Sequence, residues 1–179
     1  MKKGDRMKKT DKWMEIAVFV GLGLAGLAWA AESQDAKPLP PIHIDIPVKL
    51  EKANVVFNLD HVAFTGDLPL GIKAMNQFAK RLKEMGVEGQ IIGVFHSEAA
   101  YLTLNDNAYN AYRNVTTGNP HKGLLAELMK QGVQIEECAV SMKAHNWSNA
   151  DLLPGVKVNG GAVMRVIQLV QQGYVQMQP

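Results

Sequence analysis

The sequence holds a single cysteine, Cys138. One thiol closes no internal disulfide, so stability has to come from packing rather than from covalent staples. There is no GxSxG turn and no phosphate-binding loop with its lysine, which removes the common serine-hydrolase and nucleotide-hydrolase arrangements. No CxxC or HxxxH spacing occurs either, so the sequence offers only a weak signal for zinc or copper. Beyond residue 30 the chain carries 13 basic and 14 acidic side chains with no Lys/Arg cluster. That balance lacks the electrostatic footprint of nucleic-acid binding.

What stands at the start is a basic segment, six Lys/Arg in twelve residues, followed by an uncharged run from Ile16 to Ala31. This is the pattern of an export signal. Small residues at Ala28 and Ala30 predict cleavage after Ala30 and a periplasmic chain of residues 31–179, without a membrane anchor once the signal is removed. The apolar run is shorter than the roughly 20 residues a spanning helix needs. Gly21, Gly23 and Gly26 match GxGxxG but sit inside that run, with no strand before them, and are discounted.

Residues 32–41, with three prolines, read as a tether. In "IHIDIPV", residues 42–48, Ile42, Ile44, Ile46 and Val48 alternate with polar residues, and Pro47 restricts the segment to an edge strand or extended arm. From residue 49 the punctuation is regular. "ANVVFNL", "QIIGVF", "VQIEECAV", "VKVN" and "YVQM" read as strands. Between them, residues 68–85 and a segment capped by Asn119-Pro120 read as helices closed by Gly86 and Gly132. Residues 161–172 give a further helix, with Val163, Val166, Ile167 and Val170 expected inward. Alternating strands and helices predict one α/β domain over 49–179, a parallel sheet of about five strands with helices on both faces.

In such a sheet the loops at the carboxyl ends of the strands share one rim, where ligands bind. The first strand delivers Asp60 and His61, the second His96, and the third Cys138 followed by Ser141, Lys143 and His145. Cys138 stands where a strand passes into a short helix starting near Val140 or Ser141, a position that favours a thiolate. The plainer alternative is a small buried hydrophobe filling the strand end. His43 and His121 read as solvated residues. Tyr101, Tyr109 and Tyr112 are expected to pack on the sheet, anchored by Leu102 and Leu104.

The segments "ANVVFNLD", "IIGVFHSEAAYLTLND", "NPHKGLLAELMKQGVQIEECAVS" and "LLPGVKVNGGAVMRVIQLVQQGYVQM" together resemble the DsrE/DsrF-like family, YchN-type members included, over roughly residues 50–179. Cys138, followed by small residues and then by Lys143 and His145, is similar to the strand-end cysteine of members that relay sulfur. The resemblance implies trimers or hexamers and a cysteine that holds sulfane sulfur as a persulfide, with no cofactor. Paired arginines and a glycine of several relay members are replaced here by Ala144-His145-Asn146. The expectation is an exported sulfur carrier with sulfurtransferase-like chemistry at Cys138, supported by His96, Lys143, His145, His61, Asp60 and Ser141, whose donor or acceptor is another thiol or a small sulfur compound. The alternatives are a non-enzymatic small-ligand or metal-binding module, or a structural oligomer subunit, of the same fold.

Overall fold

In the computed structural model, which describes residues 40–179, the expected strand runs become β1 (Val55–Leu59), β4 (Ile91–Phe95), β5 (Gln134–Cys138), β6 (Lys157–Asn159) and β7 (Val175–Met177). They form one sheet in the order β6-β5-β4-β1-β7, every pairing parallel. Such strands are buried on both faces, which is why β4 reads as an unbroken apolar run and β1 as one broken only by Asn58. Side chains alternate between two cores. Val55, Phe57, Ile91 and Phe95 join Ile72, Met75, Leu125 and Leu128 on one face. Val56, Ile92, Val94 and Cys138 meet Ala162, Val166 and Leu169 on the other.

The first face is covered by α1 (Leu70–Met85), α3 (Lys122–Lys130) and a 3-10 turn at Ser97–Thr103, with α2 (Asp106–Arg113) packed outside that turn. The short α4 (Ala139–Ala144) continues straight from β5. The opposite face is covered by α5 (Ala162–Gln171). Gly86 closes α1 in the left-handed region, φ 65°, as glycine does at little steric cost. Gly93 at the centre of β4 has a different task. A Cβ there would lie 2.7 Å from Met75 Sδ, so its absence lets α1 seat close to the sheet.

Four expectations are corrected. Residues 68–69 belong not to α1 but to a two-stranded hairpin, β2 (Phe64–Thr65) with β3 (Leu68–Pro69). Asn119 does not cap α3, which starts at Lys122. Its buried side chain instead donates to the carbonyls of Leu102 and Leu104 and accepts from the His121 N–H, tying the 3-10 turn down. His121 is buried rather than solvated, with Phe64 of the hairpin beside it.

The fourth concerns α5, where Ala162, Val166 and Leu169 are inward while Val163, Ile167 and Val170 are exposed. Arg165 fixes that phase. Its guanidinium reaches the sheet face to bind Glu136, and at 100° per residue positions 162, 165, 166 and 169 then form one stripe. Residues 42–48 form no strand and are exposed. The expected signal and most of the tether lie outside the described residues. Among the described residues, no helix is long and apolar enough to cross a membrane.

Candidate functional site

Cys138 is the last residue of β5, aligned with Asn159 at the end of β6. β5 runs directly into α4 and β6 reaches α5 through Gly160 and Gly161, so two helix N-termini converge on the sulfur. Cys138 is itself the residue capping α4, and Ala162, the first residue of α5, donates its backbone N–H to Sγ at 3.3 Å. Asn159 holds the second turn in place: its Oδ1 accepts from the Gly161 N–H at 3.1 Å, and its amide nitrogen donates to Glu136. Unpaired N–H groups at a helix start favour negative charge. Burial pushes the Cys138 thiol up, yet the N–H groups of Ser141, Ala162 and Val140 with the Ser141 hydroxyl outweigh it, and the net shift is downward.

The residue is 4% exposed and borders a pocket of about 370 Å³. His96 and Ser97 form one wall of that pocket, Val140 and Ser141 a second, and Gly160 to Met164 the rest. Ser141 links two walls, because its Oγ accepts the Ser97 N–H at 2.9 Å while its hydroxyl also contributes to lowering the Cys138 pKa. The reading of Cys138 as a plain buried hydrophobe does not describe this sulfur well. It is buried, but its contacts include polar hydrogens and an opening, not hydrocarbon alone.

Of the residues expected to support Cys138, His96 and Ser141 line the pocket. His96 Nε2 donates to Asn58 Oδ1 at 2.9 Å, which leaves Nδ1 to accept from the Ser97 hydroxyl at 3.1 Å. Burial lowers the His96 pKa against the opposing charge of Asp60, so the ring is a neutral dipole at pH 7 rather than a cation. Asp60 and His61 stand outside the lining. They pair with each other at 2.6 Å, and the Gln178 amide donates to the same carboxylate. The His61 hydrogen bond is the main cause of the lowered Asp60 pKa.

Lys143 and His145 are not brought to the sulfur. α4 carries Lys143 to its far end, roughly 7 Å along the axis from Cys138. His145 stacks on Trp147 with ring centroids 4.4 Å apart, and both meet Tyr112 edge-on. The downward shift of the Cys138 thiol therefore comes from backbone hydrogens and the Ser141 hydroxyl, not from Lys143 or His145. Sequence reasoning passed over Gly160, Gly161 and Ala162. The signal was present in the paired glycines between "VKVN" and an apolar helix, a fourth strand end opening on the same rim.

Two carboxylates flank the site on β5. Glu136 lies on the Cys138 face, 2% exposed, and Arg165 binds it through Nε at 2.9 Å and Nη2 at 2.8 Å. Burial would raise its pKa, but Arg165, Gln134 and Asn159 hold it below the usual carboxylate range. Glu137 points to the other face and is wholly buried. Thr103 Oγ1 lies 2.8 Å from Glu137 Oε2 and 3.0 Å from the Ala100 carbonyl. A hydroxyl has one proton to give, so the chain of bonds closes when a protonated Glu137 donates to Thr103 and Thr103 donates to Ala100. Burial pushes this carboxyl up to about 9. Among the described residues, no group of three His, Cys, Asp or Glu side chains is placed to hold a metal ion.

The backbone origin of the thiol shift has a direct test. Proline is tolerated at the first position of a helix, so Ala162→Pro removes the N–H that faces Sγ while leaving α5 able to form. The alkylation rate of Cys138 against pH is expected to move its midpoint upward in this variant. An unchanged midpoint would remove α5 from the account.

The sequence model of the DsrE/DsrF-like family matches residues 52–179. Among solved structures, the chain is similar to a protein of unknown function, MTH1491, from Methanobacterium thermoautotrophicum, at 20% identity and a TM-score of 0.57, with 72% of this chain and 100% of that one covered. It is also similar to the ychN protein from E. coli, at 12% identity and a TM-score of 0.49, with 71% of this chain and 99% of that one covered. No curated protein matches. The first of these likenesses carries the parallel α/β fold alone. Because the family match runs from the start of the sheet to the last residue and takes in both helix starts around Cys138, the chain belongs to the DsrE/DsrF-like family.

Proposed function

We propose that the chain is an exported sulfur carrier in which Cys138 holds sulfane sulfur as a persulfide and passes it to another thiol. The observation that carries this reading is the Ala162 N–H at 3.3 Å from Sγ, joined by donors from Ser141 and Val140, beside an open pocket. A thiolate held this way is the attacking form. It attacks the outer sulfur of a polysulfide or the sulfane sulfur of thiosulfate. The donor's S–S bond breaks, its electron pair leaves on the shortened polysulfide or on sulfite, and Cys138 gains one sulfur without net oxidation. An acceptor thiolate then attacks that outer sulfur and releases Cys138 as the thiolate. The persulfide anion would meet the same backbone hydrogens, and the burial of Cys138, 4% exposed at the pocket's inner wall, would limit the oxidation an exposed thiol suffers.

Family membership supports the sulfur chemistry, and the amino-terminal pattern supports export to the periplasm. Assembly with further copies, as a trimer or hexamer, belongs to the same reading. It is supported by the exposed apolar stripe Val163, Ile167 and Val170 on α5, with Met164 beside it.

Incubation with polysulfide, followed by intact-mass measurement, tests the carrier role. A gain of one sulfur atom is expected, lost in Cys138→Ser and reversed by a small thiol. No gain, or a gain undiminished in Cys138→Ser, would reject the carrier and leave a ligand-binding or structural subunit.

A further inference from the structure

Two parts of the fold have no backbone partner among the described residues, and their geometry matches. Ile42, Ile44, Ile46 and Val48 are between 70% and 87% exposed, and residues 42–48 make no backbone hydrogen bond to another described residue. At the other end of the chain, β7 is an edge of the sheet, bonded on one side only, to β1. Val175 and Met177 on β7 are also exposed, 64% and 41%. Four isolated apolar side chains in alternation do not belong in water, and an uncovered strand edge invites an added strand.

Proline fixes how the arm can pair. In an extended chain, the backbone groups of alternate residues point to opposite edges. Pro47 has no N–H, so the edge formed by residues 43, 45 and 47 is defective, whereas the edge formed by Ile42, Ile44, Ile46 and Val48 is complete. The arm is thus built to pair on one side only, as an outermost strand. β7 has the complementary polarity. The Val175 N–H bonds the Asn54 carbonyl of β1, so Val175 and Met177 spend their backbone groups inward and Gln176 turns its own outward.

These two polarities also choose a direction. In a parallel pair, a residue bonds the neighbours of the residue it stands beside. Arm residues bonding Gln176 then stand beside Val175 and Met177, and isoleucines meet valine and methionine on one face. In an antiparallel pair the isoleucines would stand beside Gln176, leaving Val175 and Met177 bare. We propose that residues 42–48 of one copy of this chain add as a parallel outermost strand to β7 of a second copy. Pro47 then leaves the new outer edge short of a donor, which blunts the addition of a further strand there.

This inference stands apart from the sulfur chemistry: a chain that takes up no sulfur would still make the exchange. The test uses protein purified from cells expressing the full chain, with a photo-crosslinking residue installed at position 44 and equal parts of nitrogen-14 and nitrogen-15 copies mixed before irradiation. Peptide masses are expected to show mixed-isotope links from position 44 to residues 174–178. Two further variants guard against misfolding: Gln176→Pro deletes the outward N–H of β7, and Ile46→Asp alters an exposed position. Each is expected to lower the link yield at least tenfold with unchanged circular dichroism. Single-isotope links, which mean the arm docks on its own chain, would overturn the proposal. So would links concentrated on α5, or none at all.

Discussion

Replacing Glu137 by Gln is expected to flatten the fall in stability that the native chain shows between mildly acidic and mildly alkaline solution. In the fold this carboxyl titrates at about 9, because burial penalises its charged form; its ordinary value is 4.5. A raised acid favours the fold fully below pH 4.5, and that advantage is lost as pH rises toward 9, where the group ionises in both states. The slope across the window is about 1.4 kcal/mol per pH unit, so the native chain loses on the order of 4 kcal/mol between pH 5 and pH 8. Gln has the same shape, can donate to Thr103 through its amide and does not titrate. Urea unfolding of both proteins at pH 5 and pH 8 checks this: the native chain should lose stability relative to Glu137→Gln by several kcal/mol. Taking the difference matters, since His96 and His121, whose pKa values burial lowers, push stability the opposite way near pH 6. Equal pH dependence in the two proteins would mean that Glu137 is ionised in the fold.

Arg165→Met is expected to cost about 3 kcal/mol at pH 7, the scale of a buried ion pair that loses one member. Glu136 would keep the amides of Gln134 and Asn159 but lose its counter-charge in a site that is 2% exposed. Its pKa in the native fold is held below 4.5, so the pair's contribution is present above that pH and lost as pH falls through the folded value. The gap between variant and native chain should therefore narrow as the solution is made acidic and Glu136 takes up its proton. The double variant Glu136→Gln with Arg165→Met should recover much of the loss, since no buried charge is then orphaned. A second readout separates this from a general weakening. Arg165 sets the rotation of α5, and α5 aims the Ala162 N–H at Cys138, so the thiol's alkylation midpoint should rise in Arg165→Met and stay raised in the double variant. Recovery of stability together with an unmoved midpoint throughout would show that the salt bridge does not position the site.

The strand and helix order was legible because buried parallel strands are written as short apolar runs, and glycines such as Gly86 and Gly132 end the helices between them. Cys138 at a strand end was legible for the same reason: chain order alone puts it on the rim. The phase of α5 was not. The apolar arc of that helix, residues 162, 163, 166, 167, 169 and 170, is broader than the stripe it buries, and the choice of which edge turns inward falls to Arg165 and its partner 29 residues away. The hairpin at Phe64–Thr65 and Leu68–Pro69 is too short to carry a period of two, and the burial of His121 depends on it. Lys143 and His145 look adjacent to Cys138 in sequence, but a helix converts five to seven positions into length along its axis and leaves them at the wrong end. The donors that replaced them are main-chain groups, which no residue letter records.

The stacked rings at the end of α4 have a practical side. The sequence has Trp13, Trp29 and Trp147, and cleavage after Ala30 would leave Trp147 as the sole indole. Its emission would then arise from one place, nine positions past the sulfur and in contact with His145 and Tyr112. The processed protein would carry a single fluorophore packed against the core on the face of the sheet away from Cys138, able to follow the opening of that face with no dye attached.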